Sequence, residues 1–283
     1  MATSTSQKGD TTMAVNDISL TAGMRSNLLQ LQGTSKLIDR TQERLSTGKQ
    51  VNSALDNPTN SFAAQAHMNR ASDFAVRKDG MAEGIQTAKA ADAGITAISA
   101  LVDAAKGLAE AALGTASTVD RASFATQYAT IQAQVSSMAS DSGYRGTNLL
   151  NSQNLTVNFN EDATASLTVN GFNATSAGLS MNNAGNNWAG TADITTTQAD
   201  LKKASDQLRS QAKTLANNLN IISTRQNFTD NMIGTLQTGA DNLTLADMNQ
   251  EGANMLMLQT RQNLGTTALS LSSQAAQSVL RLF

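Results

Sequence analysis

The stretch Ser46-Thr-Gly-Lys49 is the part of this sequence that most resembles a phosphate cradle. A P-loop needs a second glycine five residues before Gly48, so that consecutive backbone N–H groups wrap the phosphates, but that position is Glu43. The stretch therefore reads as a helix end with a solvated lysine. His67 is the only histidine and there is no cysteine, so no familiar transition-metal set can be assembled, and thiol nucleophiles are excluded along with disulfides. Acid–base chemistry needs carboxylates in a pocket that shifts their titration. The candidate pairs, Asp230 with Asp241 and Glu161 with Asp162, sit in polar loop or helix-face contexts instead. Met248, Met255 and Met257 give a cluster of flexible thioethers that suits adaptable packing between protein surfaces. No catalytic, cofactor-binding or metal-ligating residue is expected.

The whole chain points the same way. Its 283 residues could hold a thick core, yet aromatics are 4% of the composition, with 1 Trp and 1 Pro amid abundant Ala, Ser, Thr, Asn, Gln and Leu. Such a chain packs thin helical layers. The net charge of −2, with 20 Lys and Arg spread out rather than clustered, gives no reason to expect nucleic acid. No run approaches a membrane-spanning length, and residues 1–12 are polar without the apolar core of a cleaved secretory signal. That opening segment reads as a disordered extension, with Met13 as a second possible start.

The elements that would carry the remaining signals are helices. From Met24 a 7-residue pattern places Met24, Leu31, Ile38 and Leu45 on one column and Leu28, Ser35 and Gln42 on the next, ending near Gly48. Residues 51–59, with Asp56, Asn57 and Pro58, read as a loop. Helical spacing resumes from Ser61 and is clear at Ala91, Ile95, Ile98, Val102, Ala105, Ala109 and Ala112, whose small side chains imply close helix approach. A break at residues 114–120 leads to another helix through Phe124, Tyr128, Ile131, Val135 and Met138, with Asp120 as the expected N-cap.

Between residues 144 and 178 the period changes to two, with Leu155, Val157 and Phe159 and then Leu167 and Val169, so a small hairpin is expected. The Gly- and Asn-rich residues 177–190 read as loop. The longest signal follows: Leu208, Leu215, Ile222, Thr229, Leu236 and Leu243 on one column, and Ser205, Ala212, Leu219, Gln226, Ile233 and Ala240 on the other. A helix over residues 201–243 would be about 65 Å long. After an interruption at residues 241–246, Leu264, Leu271 and Ser278 align with Ala268, Ala275 and Leu282, while Leu269, Ala276 and Phe283 form a second stripe. Apolar pattern thus runs almost to both ends. The two ends are expected to pair, and the surplus stripe to be covered by other copies of the chain.

Residues 40–49 (Arg-Thr-Gln-Glu-Arg-Leu-Ser-Thr-Gly-Lys), with Val51-Asn-Ser-Ala54 and Asp56-Asn-Pro58, resemble the amino-terminal signature of bacterial flagellins. The run from Glu251-Gly-Ala-Asn254 through Leu258-Gln-Thr-Arg-Gln262 and Leu264-Gly-Thr-Thr-Ala-Leu-Ser270 to Val279-Leu-Arg-Leu-Phe283 is similar to the family's other end. Gly143-Tyr-Arg-Gly-Thr-Asn-Leu-Leu150 is similar to its passage from rod to hairpin. The resemblance implies a mainly α fold with long paired terminal helices as a coiled coil and a helical rod domain with a small β-hairpin. Residues 13–55 and 244–283 would be the two halves of the inner-tube coiled coil. Residues 56–180 and 194–243 would form the rod, and residues 181–193 would replace the large outer domains of other flagellins.

The implied function is that of an extracellular structural subunit, exported by the flagellar type III route and polymerising into the motility filament. A hook-filament junction protein is the alternative, and the short span 181–193 leaves no room for an enzyme or adhesin domain carried on the scaffold. Self-assembly is assigned to Met24, Leu28, Leu31, Ile38, Leu45, Leu264, Ala268, Leu269, Leu271, Ala275, Val279, Leu282 and Phe283. The implied partners are other copies of the chain, an export chaperone, the cap and the junction proteins, with no cofactor. Many enteric flagellins are detected by a Toll-like receptor through two arginines followed by Glu-Leu. Alignment on Leu108 and Ala109 puts Ala104, Lys106 and Gly107 at those positions, so recognition should be weak or absent.

Overall fold

The computed structural model describes residues 22–280. In chain order the elements are α1 (Ala22–Thr47), α2 (Pro58–Gly114), α3 (Thr118–Asp141), β1 (Leu155–Asn158), β2 (Ser166–Val169), a 3-10 turn (Gly185–Trp188), α4 (Thr191–Thr244) and α5 (Met248–Leu280). The fold is mainly helical with one small antiparallel hairpin, as the sequence implies. Residues 1–12, read as disordered, lie outside the described residues.

The chain divides into two compact units, one from residues up to 62 together with those from 242 onward, the other from residues 63–241. In the first, α1 lies along α5. Gly48, at φ +70°, ends α1 with its N–H donating to Arg44 O at 2.8 Å, the left-handed residue that commonly stops a helix. The chain then forms a short antiparallel bridge: Gln50 N–H donates to Thr244 O (2.7 Å) and Ala246 N–H to Gly48 O (2.9 Å). Asp247 starts α5, its carboxylate accepting from the N–H groups of Asn249 and Gln250 at 2.9 and 3.2 Å. Asn57 does the same for α2, with Pro58 in the first turn where its missing N–H costs nothing.

The second unit holds the main core. On α2, Met81, Ala88, Ala91, Ile95, Ile98, Val102, Ala105, Ala109 and Ala112 are buried along one face. On α4, Ile194, Leu201, Leu208, Leu215, Ile222, Thr229 and Leu236 are buried at strict steps of seven, the period of a coiled-coil seam. Alanines on α2 let backbones come close, and Gly84 and Gly94 extend the device. A Cβ on Gly84 would stand 2.7 Å from Val157 Cγ2, and one on Gly94 2.6 Å from Leu150 Cδ1. The hairpin pairs Leu155 with Val169 and Val157 with Leu167, turning Val157 and Val169 into the core.

The N-cap of α3 is Ser117, not Asp120: Asp120 N–H donates to Ser117 Oγ at 3.3 Å. Ser117-Thr-Val-Asp120 is a capping box by sequence, in which the acidic residue is the third helical position rather than the cap.

Candidate functional site

Every sequence-assigned assembly residue within the described part lies on α1 or α5. On α1 the face toward α5 is Met24, Asn27, Leu31, Thr34, Ile38, Thr41 and Leu45, with Met24 and Thr41 fully buried. Leu28, Ser35 and Gln42, expected as the second column, are exposed instead. The seam steps by three from Leu31 to Thr34 and from Ile38 to Thr41, so the second column is polar, and reading by residue type misplaced it onto Leu28. On α5 the covered face is Glu251, Met255, Leu258, Gln262, Gly265, Leu269 and Ala276. Gly265 is required there, since a Cβ would stand 2.8 Å from Leu31 Cδ2. Leu264, Ala268, Leu271 and Ala275 face away, with Leu264 66% and Leu271 61% exposed. Of the two stripes on this helix, the one through Leu269 lies on the covered side and Leu264–Leu271 is open. The side chain of Val279, and Leu282 and Phe283 entirely, lie outside the described residues.

Where α1 ends and α5 begins, Arg44 Nη1 donates to Glu251 Oε1 at 2.9 Å, with side chains only 21% and 9% exposed. These residues are 207 positions apart and carry no local pattern, so sequence reading had no signal for them. Further along, α1 and α5 leave an open groove of about 820 Å³ between Leu31, Gly33 and Leu37 on one side and Leu264, Gly265 and Ala268 on the other, with Arg261 also lining it.

Several of the groups considered for chemistry have partners or packing in the structure. Asp230 accepts from Lys78 Nζ at 2.7 Å, and that partner raises the Lys78 pKa. Glu161 accepts from Arg70 at 2.8 Å. His67 is half-buried, beside Gly239. Met255 is half-buried on α5, while Met248 and Met257 are exposed. Lys106, in the receptor-aligned segment, pairs with Asp103 at 3.0 Å. Among the described residues no group of three His, Cys, Asp or Glu could hold a metal ion, and no helix is long and apolar enough to cross a membrane.

A partly buried polar network closes the short loop before α4. Tyr128 Oη donates to Asn182 O (3.0 Å), Gln132 Nε2 to Met181 O (2.7 Å), and Asn182 Nδ2 to Asp200 Oδ2 (2.7 Å), with Lys203 Nζ on Asp200 Oδ1 (3.1 Å). Burial first, then the Asp200 charge, pushes the Tyr128 phenol up to about 12. The Asn182 amide, and after it Lys203, hold the Asp200 carboxyl below its usual value. Asn186, Asn187 and Trp188 turn at φ +46°, +53° and +59°. Asparagine tolerates that region, whereas tryptophan is strained there by about 1–2 kcal/mol. Full burial of the indole against Tyr128, ring centroids 5.2 Å apart, with Nε1–H donating to Thr197 Oγ1 at 3.1 Å, offsets it. The network latches the loop.

A family model described as the bacterial flagellin N-terminal helical region matches residues 15–155. The chain is 30% identical to a flagellin of Brucella melitensis over 90% of its own length and 95% of that protein's. It is 28% identical to flagellin FljK of Caulobacter vibrioides over 96% of its length and all of that protein. A crystal structure of Bacillus cereus flagellin aligns at a TM-score of 0.47 and 17% identity, covering 53% of this chain and 88% of that one. With an end-to-end relative at that identity, this chain belongs to the bacterial flagellins, in a short form: structural subunits, not enzymes, that self-polymerise into the extracellular flagellar filament.

Proposed function

We propose that copies of this flagellin meet through the outward stripe of α5 and the exposed leucines of α1, with Leu28, Leu264, Ala268, Leu271 and Ala275 making contacts between subunits. Met24, Leu31, Ile38, Leu45 and Leu269 serve by holding α1 against α5, and Val279, Leu282 and Phe283 extend the contact surface. The observation that carries this is the open row of Leu264 and Leu271 on a helix whose opposite face, through Leu269, is already occupied by α1. Large apolar side chains in a row mark an interface when the molecule has a partner.

In this reading residues 13–55 and 244–283 form the inner tube, 56–180 and 194–243 the rod, and 181–193 the loop that stands where other flagellins carry outer domains. An export chaperone shields the terminal stripes, the chain travels through the type III route, and polymerisation proceeds under the cap from the junction proteins. Burial against neighbours supplies the free energy that orders the terminal helices, so assembly and ordering are coupled. The receptor-aligned residues Ala104, Lys106 and Gly107 lack the arginine fork and carboxylate that would anchor recognition, and Lys106 is engaged by Asp103. A receptor-reporter cell assay on purified monomer should give a weak response, and a strong one would overturn that point.

The test of the assembly reading is electron microscopy after seeding, comparing the full chain with one ending before Gly252. Long filaments from the full chain alone support it. Filaments from both would sink it.

A further inference from the structure

The loop between α1 and α2 displays a leucine in a manner that packing within the chain does not explain. Leu55 is 97% exposed, more than any other large apolar residue described. Its loop is nonetheless tightly tied. The Asp56 carboxylate accepts from the N–H groups of Asn52 and Ser53, both at 3.1 Å, and from Ser53 Oγ at 3.3 Å. Leu55 N–H donates to Ser53 Oγ at 3.3 Å, and Asp56 N–H to Ser53 O at 3.2 Å. One side is anchored by buried Val51 and its bond to Thr244 O, the other by the Asn57 cap of α2. A large apolar side chain held out on a preorganised loop loses little entropy on contact, which is the property of an interface anchor.

The same unit offers a matching recess. The α1–α5 groove of about 820 Å³ has ample room for an isobutyl group, with apolar walls of Leu31, Leu37, Leu264 and Ala268, a gap at Gly33, and Asn27, Gln30 and Thr34 also lining it. Arg261 lines it, and the anchor carries Asp56 at its side, so the charges are complementary as well. The chain's own Leu55 cannot reach its own groove. From Leu37, the groove residue nearest the loop, to the end of α1 at Thr47 is already about 15 Å along the helix, at about 1.5 Å per residue.

We propose that Leu55 of one copy seats in the α1–α5 groove of another. The inference rests on the reading that this end of the chain is the polymerisation surface, and it names the two sides of one contact within it. The occupant is a second copy because the chain is a homopolymer and because knob and recess belong to one subunit, displaced along it. Such a contact is heterologous, and repeated without closure it builds a helical filament rather than a dimer.

The absence of cysteine makes the test direct. Chains carrying Leu55→Cys and Ala268→Cys are each copolymerised as a minority with the unaltered protein, which secures filaments, and then oxidised with copper phenanthroline. A disulfide-linked 55–268 dimer, identified by peptide mass and absent when either variant is used alone, is expected. Filaments without that dimer overturn the proposal. Gly33→Phe is the second variant. Gly33 lines the groove and a Cβ there meets nothing within 4 Å, so this position admits a side chain directed at blocking the groove. Gly33→Phe and Leu55→Ser should each raise the critical concentration roughly ten- to hundredfold, with unchanged far-UV circular dichroism as the control that the subunit fold is kept. An unchanged critical concentration in both refutes the contact. Failure of the unaltered chain to form filaments, or normal assembly without residues 252–283, would instead overturn the underlying reading.

Discussion

Replacing Leu271 by aspartate tests the outward stripe of α5 at its centre. Leu271 is 61% exposed in the single chain, so about six-tenths of the benefit of burying a leucine, about 1–2 kcal/mol, remains to be gained on assembly. Aspartate forfeits that and adds the cost of desolvating a carboxylate, several kcal/mol even after relaxation. Together the loss is at least about 4 kcal/mol per contact, equivalent to about a thousandfold in critical concentration. Leu271→Ala removes mainly the first contribution and should raise it about tenfold. The measurement is the protein left in the supernatant after seeded polymerisation and ultracentrifugation, with circular dichroism to confirm that the rod helices persist. Because residue 271 points away from α1, neither substitution should disturb the pairing with α1. Filaments of the aspartate variant at the unaltered critical concentration would refute the reasoning.

Three further outcomes are expected. Removing either partner of the Arg44–Glu251 pair leaves the other half-stranded, so Arg44→Met or Glu251→Leu alone should cost about 2–3 kcal/mol, while the double variant recovers much of it. A double-mutant cycle on the heat dissociation of filaments checks this, and strictly additive losses would exclude the coupling. Gly84→Ala gains about 1 kcal/mol of helix propensity but forces a methyl against Val157, an overpacking cost of about 1–3 kcal/mol, so the urea midpoint should fall, and fall less when Val157→Ala is added. Tyr128 has its pKa raised in the folded chain, so its contribution to stability is complete below about pH 10 and is lost as the pH rises towards about 12. Between those values the urea midpoint of the unaltered chain should drop relative to Tyr128→Phe, and parallel pH profiles would disprove the assignment.

The rod was legible in sequence where large side chains recur at a fixed step. Leu208, Leu215, Ile222, Thr229 and Leu236 repeat every seven residues and are all buried, and the change of period at Leu155–Phe159 and Leu167–Val169 marks the two strands. Over residues 61–90 the pattern is faint because Ala64, Ala71, Gly84 and Ala88, residues whose role is to be small rather than apolar, alternate on the buried face with only two large side chains, Phe74 and Met81. The seam of α1 was half legible for a related reason. Its second column is Asn27, Thr34 and Thr41, polar residues covered because the facing surface of α5 includes Gln262 and Gly265, and a search for apolar repeats selects Leu28 instead. The Arg44–Glu251 pair joins residues that no local window contains.

Periodicity also reports that a face needs covering without saying by which chain, and α5 makes the limit plain. Beyond Gln262 its covered side offers Gly265, Leu269 and Ala276, its open side Leu264, Ala268, Leu271 and Ala275, so over this half of the helix, unlike the half with half-buried Met255 and buried Leu258, the richer apolar stripe points outward. In a monomeric protein that distribution would be inverted. For a polymer it follows from the energetics. The contact with α1 joins parts of one chain and needs only to overcome local ordering, whereas a contact between subunits must first offset about 4–15 kcal/mol of lost translational and rotational freedom. Larger side chains are therefore needed on the face that meets another copy, and small ones suffice where Gly265 lets Leu31 approach. By the same reasoning Leu55, the most exposed leucine among the described residues, fits the intermolecular side of the proposed contact: an apolar side chain left almost wholly uncovered within its own subunit is available to a surface supplied by the next one.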